Sequence, residues 1–381
     1  MQKLFLLDAY ALIYRSYYAF IKNPRINSKG LNTSAIMGFL NTLNEVLTKE
    51  KPTHIGVAFD PHGPTFRSDA FPAYKAQREE TPEDIRKAVP IIKDLLKAYR
   101  IPILQVDGYE ADDVIGTLAE KAGSIGVETY MLTPDKDYGQ LVRDNVFIYR
   151  PRHGGGYETM GPKEVCEKYS IPSPMAVIDL LALMGDSADN FPGCPGVGEK
   201  TAAKLIDEFG SIEQLLARSS EIKGKLREKV EEHIDDIKMS YFLATIKTDV
   251  PIELDMESLK LVEPNEDELG KLLLELEMKS FADRVLKKSQ KPQKVVNQQL
   301  DLFAEFTLDG QAVCENTSFE TLKTTPHNYK LVDNQEDLKN LRDYFLTNKI
   351  LSLDTETTST SAIDAELVGL SFAVKEFEAF Y

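Results

Sequence analysis

Short apolar runs alternate with helical patterns in the first part of the chain. The apolar runs span residues 3–7, 53–59 and 128–132, and amphipathic patterns lie at about 11–20, 34–48, 83–99 and 110–122. Strands that alternate with helices predict an α/β domain with a mostly parallel central sheet. From about Pro162 the pattern becomes helical and stays so to about Lys288, which predicts a second, helical region.

Acidic residues follow each of the predicted strands. Asp8 and Asp60 come directly after the first two runs, and Asp135 and Asp137 follow the third. Ligands of open α/β sheets bind beyond the carboxyl ends of the strands, so we expect these side chains to share one site.

The densest acidic stretch is Gly108-Tyr-Glu110-Ala-Asp112-Asp113, at the start of a predicted helix. A single acid there is explained by the positive end of the helix dipole. Three together repel one another unless a cation lies among them, which favours a metal site. A further acidic loop, Gly185-Asp186-Ser-Ala-Asp189-Asn190, follows a predicted helix at 174–184.

Composition narrows the chemistry of such a site. The 381 residues suffice for two or three globular domains, with 42% hydrophobic and 28% charged residues. The first apolar run is too short for a signal peptide or a membrane helix. Three scattered cysteines indicate reduced thiols in a cytoplasm. The five histidines do not show the spacing of a zinc site, so any metal would be held by oxygen ligands, which suit Mg²⁺ or Mn²⁺.

The net charge of −16, taken alone, argues against a nucleic-acid partner. The chain nevertheless contains two local basic segments, and these decide the question. Arg67, Lys75 and Arg78 follow Asp60 among aromatic residues. They are either solvated surface charges or phosphate contacts. Tyr14 is either a core residue or a stacking platform for a terminal base.

The second basic segment is a glycine hairpin between predicted helices. Alone it reads as a plain turn, but its position and its lysines resemble helix–hairpin–helix modules that hold the DNA backbone. The residues concerned are Gly193, Gly196, Val197, Gly198, Lys200, Thr201 and Lys204.

Two divalent ions held by carboxylates from several elements can hydrolyse a phosphodiester. A phosphoaspartate enzyme is the less favoured alternative, because Tyr10 stands where its second aspartate is needed.

Taken together, six blocks resemble the 5′ nuclease region of bacterial DNA polymerase I, which belongs to the flap endonuclease family. The blocks occur in family order over about residues 1–289: Leu-Leu-Asp8 with Tyr14-Arg15, Phe59-Asp60 with Arg67, Lys75 and Arg78, Gly108 to Asp113, Thr133-Pro-Asp135-Lys-Asp137, Gly185 to Asn190, and the hairpin.

The resemblance implies a PIN-like catalytic domain at 1–161 with a helical arch at about 64–100, and a helix–hairpin–helix subdomain at 162–289. It implies a first metal on Asp8, Asp60, Glu110, Asp112 and Asp113, and a second on Asp135, Asp137, Asp186 and Asp189. Lys75 and Arg78 would steady the scissile phosphate, Arg15 and the hairpin would bind DNA, and K⁺ would lie among the hairpin carbonyls.

The implied function is that of a monomeric bacterial 5′–3′ exonuclease and flap endonuclease, in a nucleoid-associated cytoplasmic location with no membrane. It would act on DNA with 5′ flaps, nicks or RNA primers as the N-terminal part of a polymerase I. A related RNase and a non-catalytic DNA-junction adaptor remain alternatives.

The C-terminal part resembles the start of the same polymerase's 3′–5′ exonuclease-like domain, a truncated RNase H-like piece at 328–381 with Asp354 and Glu356 as its first metal motif. Its later acidic motifs are missing, so we expect no proofreading and an incomplete domain with sticky strand edges. The intervening linker, 290–327, contains a sequence that resembles peptides that dock on the bacterial sliding clamp: Gln299, Leu300, Leu302 and Phe303.

Overall fold

The computed structural model describes residues 2–78, 80–152, 156–286, 327–348, 350–358, 366–375 and 377–381. The described residues form two compact units, one that extends to Leu286 and one that starts at His327. The linker peptide with Gln299, Leu300, Leu302 and Phe303 lies outside the described residues, so its predicted docking on a clamp stays a prediction.

A six-stranded sheet is the centre of the first unit. Its strands are β1 Lys3–Asp8, β2 His54–Ala58, β3 Ile103–Leu104, β4 Glu128–Leu132, β5 Val146–Pro151 and β6 Tyr157–Met160. They lie in the order β3-β2-β1-β4-β5-β6, and only β5 and β6 pair antiparallel. The predicted α/β fold with a mostly parallel sheet is confirmed, although the apolar runs do not predict β3, β5 or β6.

Helices fill the segments between and after the strands. They are α1 Ala9–Ala19, α2 Ser34–Glu45, α3 Phe66–Ala70, α4 Glu83–Ala98, α5 Ala111–Ser124, α6 Pro162–Tyr169, α7 Ala176–Met184, α8 Glu199–Phe209, α9 Ile212–Ala217, α10 Lys225–Glu232, α11 Ile234–Ala244, α12 Glu266–Glu275 and α13 Lys279–Leu286. A π-helical turn at Val46–Glu50 extends α2, and 3-10 turns lie at Asp137–Leu141 and Ser219–Glu221. None of the described helices has both the length and the apolar composition needed to cross a bilayer.

Both faces of the sheet are covered, because side chains of β1 alternate between two cores. Leu4 and Leu6 pack in the core that contains α5 and α7, whereas Phe5 and Leu7 pack in the core that contains α1, α2 and α4. Burial on both faces is typical of a parallel strand and explains the uninterrupted apolar run.

The strand order reverses next to β1. From β1 the chain adds β2 and β3 on one side, and it then returns to add β4 and β5 on the other. In register, Leu7 lies beside Val57 of β2 and Leu132 of β4. The acidic residues that follow these strands therefore meet at the topological switch point, where open α/β sheets bind their ligands.

The loop after α7 is closed by two glycines with positive φ. Asp186 and Phe191 exchange two backbone hydrogen bonds of 3.1 Å. Gly185 has φ +69° and Gly193 has φ +59°, and a Cβ on Gly193 would stand 2.2 Å from the Gly185 nitrogen. Only glycine fits at such a contact, so this pair fixes the acidic segment 186–190.

Replacing Gly193 by alanine is therefore expected to destabilise the protein by about 3 kcal/mol or more, through both the clash and the positive φ. Gly198→Ala is the matched control, because no atom lies within 4 Å of its added Cβ and its φ is negative. Urea denaturation of both variants measures the difference, and equal stabilities would contradict the role of the glycine pair.

The second unit is a small sheet with one helix. Its elements are β7 Asn328–Lys330, α14 Gln335–Leu346, β8 Ser352–Thr357, β9 Leu367–Lys375 and β10 Glu378–Phe380, with strand order β7-β10-β9-β8. Asp354 and Glu356 lie within β8 and are exposed. Ladder pairing of both with β9 extends the strand through them.

Candidate active site

A cleft of about 550 Å³ opens at the carboxyl ends of β1, β2 and β4. Six carboxylates from five segments of the chain line it: Asp8, Asp60, Asp112, Asp135, Asp137 and Asp189. These include the acids that follow the three predicted strands, so the structure brings that part of the predicted set together. Glu110, Asp113 and Asp186 do not line the cleft.

Asp8 is fixed by both strand and helix. It ends β1 and caps α1, where its Oδ1 accepts a hydrogen bond of 3.1 Å from the Ala11 N–H. Its Oδ2 accepts hydrogen bonds from the Thr133 hydroxyl at 3.2 Å and the Tyr138 hydroxyl at 3.3 Å. Thr133 and Tyr138 support Asp8, a role that the sequence pattern does not predict, although each is near Asp135 and Asp137 in the chain.

Asp60 and Asp135 are also held by backbone amides. Asp60 Oδ1 accepts from the Ala111 N–H at 2.7 Å, which places it at the N-terminus of α5. Asp135 Oδ1 accepts from the Asp137 N–H at 3.0 Å. By contrast, Asp137 Oδ1 is buried and has no hydrogen-bond partner. A buried carboxylate oxygen without a donor is costly and needs an explanation.

Crowding and burial make the charged form of these acids unfavourable. Burial, followed by repulsion from Asp60 and Asp135, raises the pKa of Asp8 to about 7. Burial is also the main cause that raises the pKa values of Asp60, Asp112 and Asp137. The cleft therefore favours either protons or additional cations.

Arg67 is buried beneath the cleft and not at its surface. It is 1% exposed, and all five N–H groups donate hydrogen bonds. Nη1 and Nη2 hold the two oxygens of Asp113 at 2.7 and 2.8 Å, and Nη1 also reaches Glu110 at 3.2 Å. The remaining bonds go to the carbonyls of Leu243 and Thr245.

This network corrects two expectations. Arg67 cannot contact a phosphate, because all the N–H groups of its guanidinium already donate hydrogen bonds to partners inside the protein. Asp113 is fully buried, and besides Arg67 its oxygens accept the N–H groups of Glu110 and Lys247. No oxygen of Asp113 is left to hold a metal in this arrangement, so its place is structural.

The side chains of Glu110 and Asp186 contact basic side chains and do not line the cleft. Glu110 accepts from Lys75 at 2.8 Å and from the Tyr74 hydroxyl at 3.0 Å. Burial alone would raise the pKa of Glu110, but Lys75 and Arg67 outweigh it and lower the pKa. Asp186 pairs with Lys136 at 2.8 Å, a partner that the sequence analysis also misses.

Lys75 and Arg78 do line the cleft, as the sequence predicts. Lys75 Nζ lies 3.8 Å from Asp189 as well as near Glu110, and Arg78 pairs with Asp189. With these cations in contact, no three Asp, Glu, His or Cys side chains in the described part of the chain stand ready to ligate one ion. Binding an ion here requires side-chain rotations.

Tyr14 also lines the cleft, and its half-buried ring packs against the core as well, so its stacking on a terminal base stays a prediction. Its hydroxyl donates to Thr81 Oγ1 at 3.1 Å, and its ring lies 6.3 Å from the rings of Tyr10 and Tyr18. An aromatic row therefore lies along α1 beside the acids.

The glycine hairpin lies in front of α8. Gly196 has φ +80°, and a Cβ there would stand 2.6 Å from Lys229 Nζ, so the backbone closely approaches this cation. Gly198 is the N-cap of α8, and Lys200, Thr201 and Lys204 are in its first two turns. The structure thus forms the predicted hairpin between helices, and its binding of DNA stays a prediction.

The fold and the cleft define a class, the 5′ nucleases with a resolvase-like α/β domain. Residues 3–170 match the model of the "5′-3′ exonuclease, N-terminal resolvase-like domain", and residues 172–267 match the "5′-3′ exonuclease, C-terminal SAM fold".

A 5′–3′ exonuclease of Aquifex aeolicus is 39% identical over 285 residues, which are 75% of this chain and 96% of that protein. DNA polymerase I of Pseudomonas aeruginosa is 36% identical over 386 residues, which cover 99% of this chain and 39% of the polymerase. The chain spans about one third of the length of the curated polymerases that it matches. It belongs to the 5′–3′ exonuclease family.

Solved structures show the same fold. A bacteriophage T5 flap endonuclease variant, in a product-like complex with DNA and metal ions, aligns with a TM-score of 0.55 at 18% identity, over 76% of this chain and 100% of that one.

Replacing Arg67 by methionine is expected to cost about 3–5 kcal/mol, because it leaves the buried Asp113 charge without its partner. Arg67→Lys should lose less, since it keeps the charge but not the bidentate geometry. Chemical denaturation of both variants measures the costs. A loss below about 1 kcal/mol for Arg67→Met would show that the network is not needed for stability.

Proposed function

We propose that this chain is a structure-specific, metal-dependent 5′ nuclease that removes 5′ flaps and RNA primers from DNA. The observation that carries the proposal is the convergence of six carboxylates from five segments of the chain on one cleft, beside Lys75 and Arg78. The family membership supports phosphodiester hydrolysis, and the match to a polymerase along 99% of the chain supports a position as its N-terminal part.

The cleft residues fit divalent cations. The donors are all carboxylate oxygens, which suit Mg²⁺ or Mn²⁺, and the orphaned Asp137 Oδ1 is an acceptor that an ion would satisfy. We assign two ions to the lining acids Asp8, Asp60, Asp112, Asp135, Asp137 and Asp189. When bound, such ions polarise a phosphodiester and stabilise the charge that develops on its oxygens.

Glu110, Asp113 and Asp186 do not belong to this set, but they hold neighbouring residues in place. Glu110 and Asp113 fix the first turn of α5 through Arg67, and Asp186 holds Lys136 next to Asp135 and Asp137. For the hairpin, the resemblance supports K⁺ among its carbonyls and contact with a downstream duplex.

Lys75 and Arg78 are suited to receive the scissile phosphate. Their present partners, Glu110 and Asp189, are carboxylates that a phosphate can replace as an acceptor. Tyr14 offers a ring on which a terminal base can stack as it leaves the duplex. DNA with single-strand/duplex junctions is therefore the preferred substrate, and the bacterial cytoplasm is the proposed location.

Addition of Mg²⁺ should raise the melting temperature of the wild-type protein, because the ions neutralise buried, mutually repelling acids. At about 100 times its dissociation constant, each bound ion stabilises the folded protein by about 2.7 kcal/mol. Asp137→Asn should instead raise the melting temperature of the metal-free protein, since it removes an unsatisfied charge, and lose most of the Mg²⁺ effect. Calorimetry with and without EDTA measures both. Asp249→Asn, an exposed acid, is the control. An unchanged Mg²⁺ response in Asp137→Asn would remove that residue from the ion site.

The wild-type chain should cut a labelled 5′-flap DNA in Mg²⁺ and not in EDTA, and it should prefer this DNA to single-stranded RNA. Lys75→Ala should slow single-turnover cleavage roughly 100-fold, because a cation that stabilises the phosphoryl charge is lost. Lys339→Ala, at an exposed lysine of α14 in the second unit, is the control. Binding without cleavage would indicate a DNA-junction adaptor, and faster cleavage of RNA would indicate an RNase.

A further inference from the structure

A second groove, of about 740 Å³, adjoins the acidic cleft on the side of β5 and β6. Four cations and one acid line it: Arg15, Arg150, Arg152, Lys168 and Glu158. This excess of positive charge stands out in a chain of net charge −16. We call it the basic groove.

The charges of the groove are only partly balanced from within. Glu158 accepts from Arg150 Nε at 2.6 Å and from Arg152 Nε at 3.2 Å, so one carboxylate serves two guanidinium groups. Arg15 and Lys168 form no ion pair with a carboxylate of the described residues. Burial, followed by repulsion from Arg150, lowers the pKa of Lys168.

Acids on the outer rim do not supply the missing charge. Glu164 accepts the Gly161 N–H at 2.9 Å at the start of α6, and Glu167 lies 3.8 Å from Lys163. Both line a neighbouring depression that shares Arg150, Arg152, Glu158 and Lys168 with the basic groove, and neither lines the basic groove itself. The cleft side of the basic groove therefore remains positive.

The groove and the cleft share a wall. Tyr14 lines the cleft, and the next residue, Arg15, lines the groove; likewise, Asp135 lines the cleft and Pro134 lines the groove. The basic groove is therefore next to the acidic cleft, across α1 and the loop after β4.

From this continuity we propose that the basic groove binds the phosphate backbone of the nucleic acid whose end lies in the acidic cleft. The inference rests on the proposed nuclease function. Guanidinium and ammonium groups pair with phosphates without reading the bases, so the groove adds affinity and orientation and no sequence preference. It lies across the central sheet from β3, on the edge formed by β5 and β6.

The test is the double variant Arg152→Gln/Lys168→Gln, which removes two exposed charges and leaves the Arg150–Glu158 pair intact. Anisotropy titrations in EDTA at several salt concentrations should show about tenfold weaker binding of flap DNA, with a log–log salt slope reduced by about 1 to 2. In Mg²⁺ the cleavage defect should fall on KM more than on kcat. Arg152→Lys/Lys168→Arg should restore both.

The matched control is Lys339→Gln/Arg342→Gln, which removes one exposed lysine and one exposed arginine from α14 of the second unit. It should bind and cut like the wild type. Parallel titrations with single-stranded DNA and with blunt duplex identify the occupant: loss only with the single strand assigns the groove to the flap, and loss only with duplex assigns it to the paired region.

Equal affinity and equal salt slope for the wild type and the groove variant, on all three DNAs, would overturn the proposal. Thermal melting of the variant establishes that it is folded. Absence of Mg²⁺-dependent cleavage by the wild type would overturn the nuclease function. Because binding is measured in EDTA, the affinities would still test the basic groove independently of cleavage.

Discussion

The acid-rich end of the sheet depends on one buried cation, the guanidinium of Arg67. Several carboxylates cannot be withdrawn from water together unless opposite charge is withdrawn with them. Arg67 supplies that charge to Asp113 and Glu110 and uses its remaining donors on the carbonyls of Leu243 and Thr245. One side chain thereby joins α3, the start of α5 and the end of α11, and it makes a rigid base under the cleft.

The cations around the acids fall into two groups by accessibility. Arg67 is 1% exposed and saturated, so it is a permanent part of the core. The side chains of Lys75 and Arg78 are 24% and 52% exposed, and each contacts carboxylates at the edge of the cleft. These two can exchange partners at small cost, which suits groups that meet substrate. The basic groove continues the same sign of charge beyond the wall formed by Tyr14 and Pro134.

The positions of the strand-end acids are predictable from the sequence, because a buried parallel strand leaves an uninterrupted apolar run and the residue after it must lie at the sheet edge. Asp8 and Asp60 are identified in this way. The strands β3 and β6 are too short to produce a comparable signal, and their place is set by pairing with neighbours.

The sequence does not predict in the same way which of two neighbouring acids lines the cleft and which is buried. Asp112 and Asp113 are adjacent, yet successive helical residues point about 100° apart, so one lines the cleft and the other is buried. Which of them faces the cleft depends on where Arg67 lies, and Arg67 is 46 positions away from Asp113 in the chain. Nothing in the local sequence around Arg67 in α3 shows that its partners are inside the core. Nothing local shows that Lys136 pairs with Asp186 either.

The alternation of β1 between two cores has a consequence for the chemistry at its end. Sliding β1 by one residue would exchange the environments of Leu4 and Phe5 and turn Asp8 toward the opposite layer. The location of this carboxylate thus depends on which aliphatic and aromatic side chains of β1 pack in each of the two buried cores. Mutations that change the packing of these cores, without changing any polar atom, would therefore displace the Asp8 carboxylate at the reaction centre.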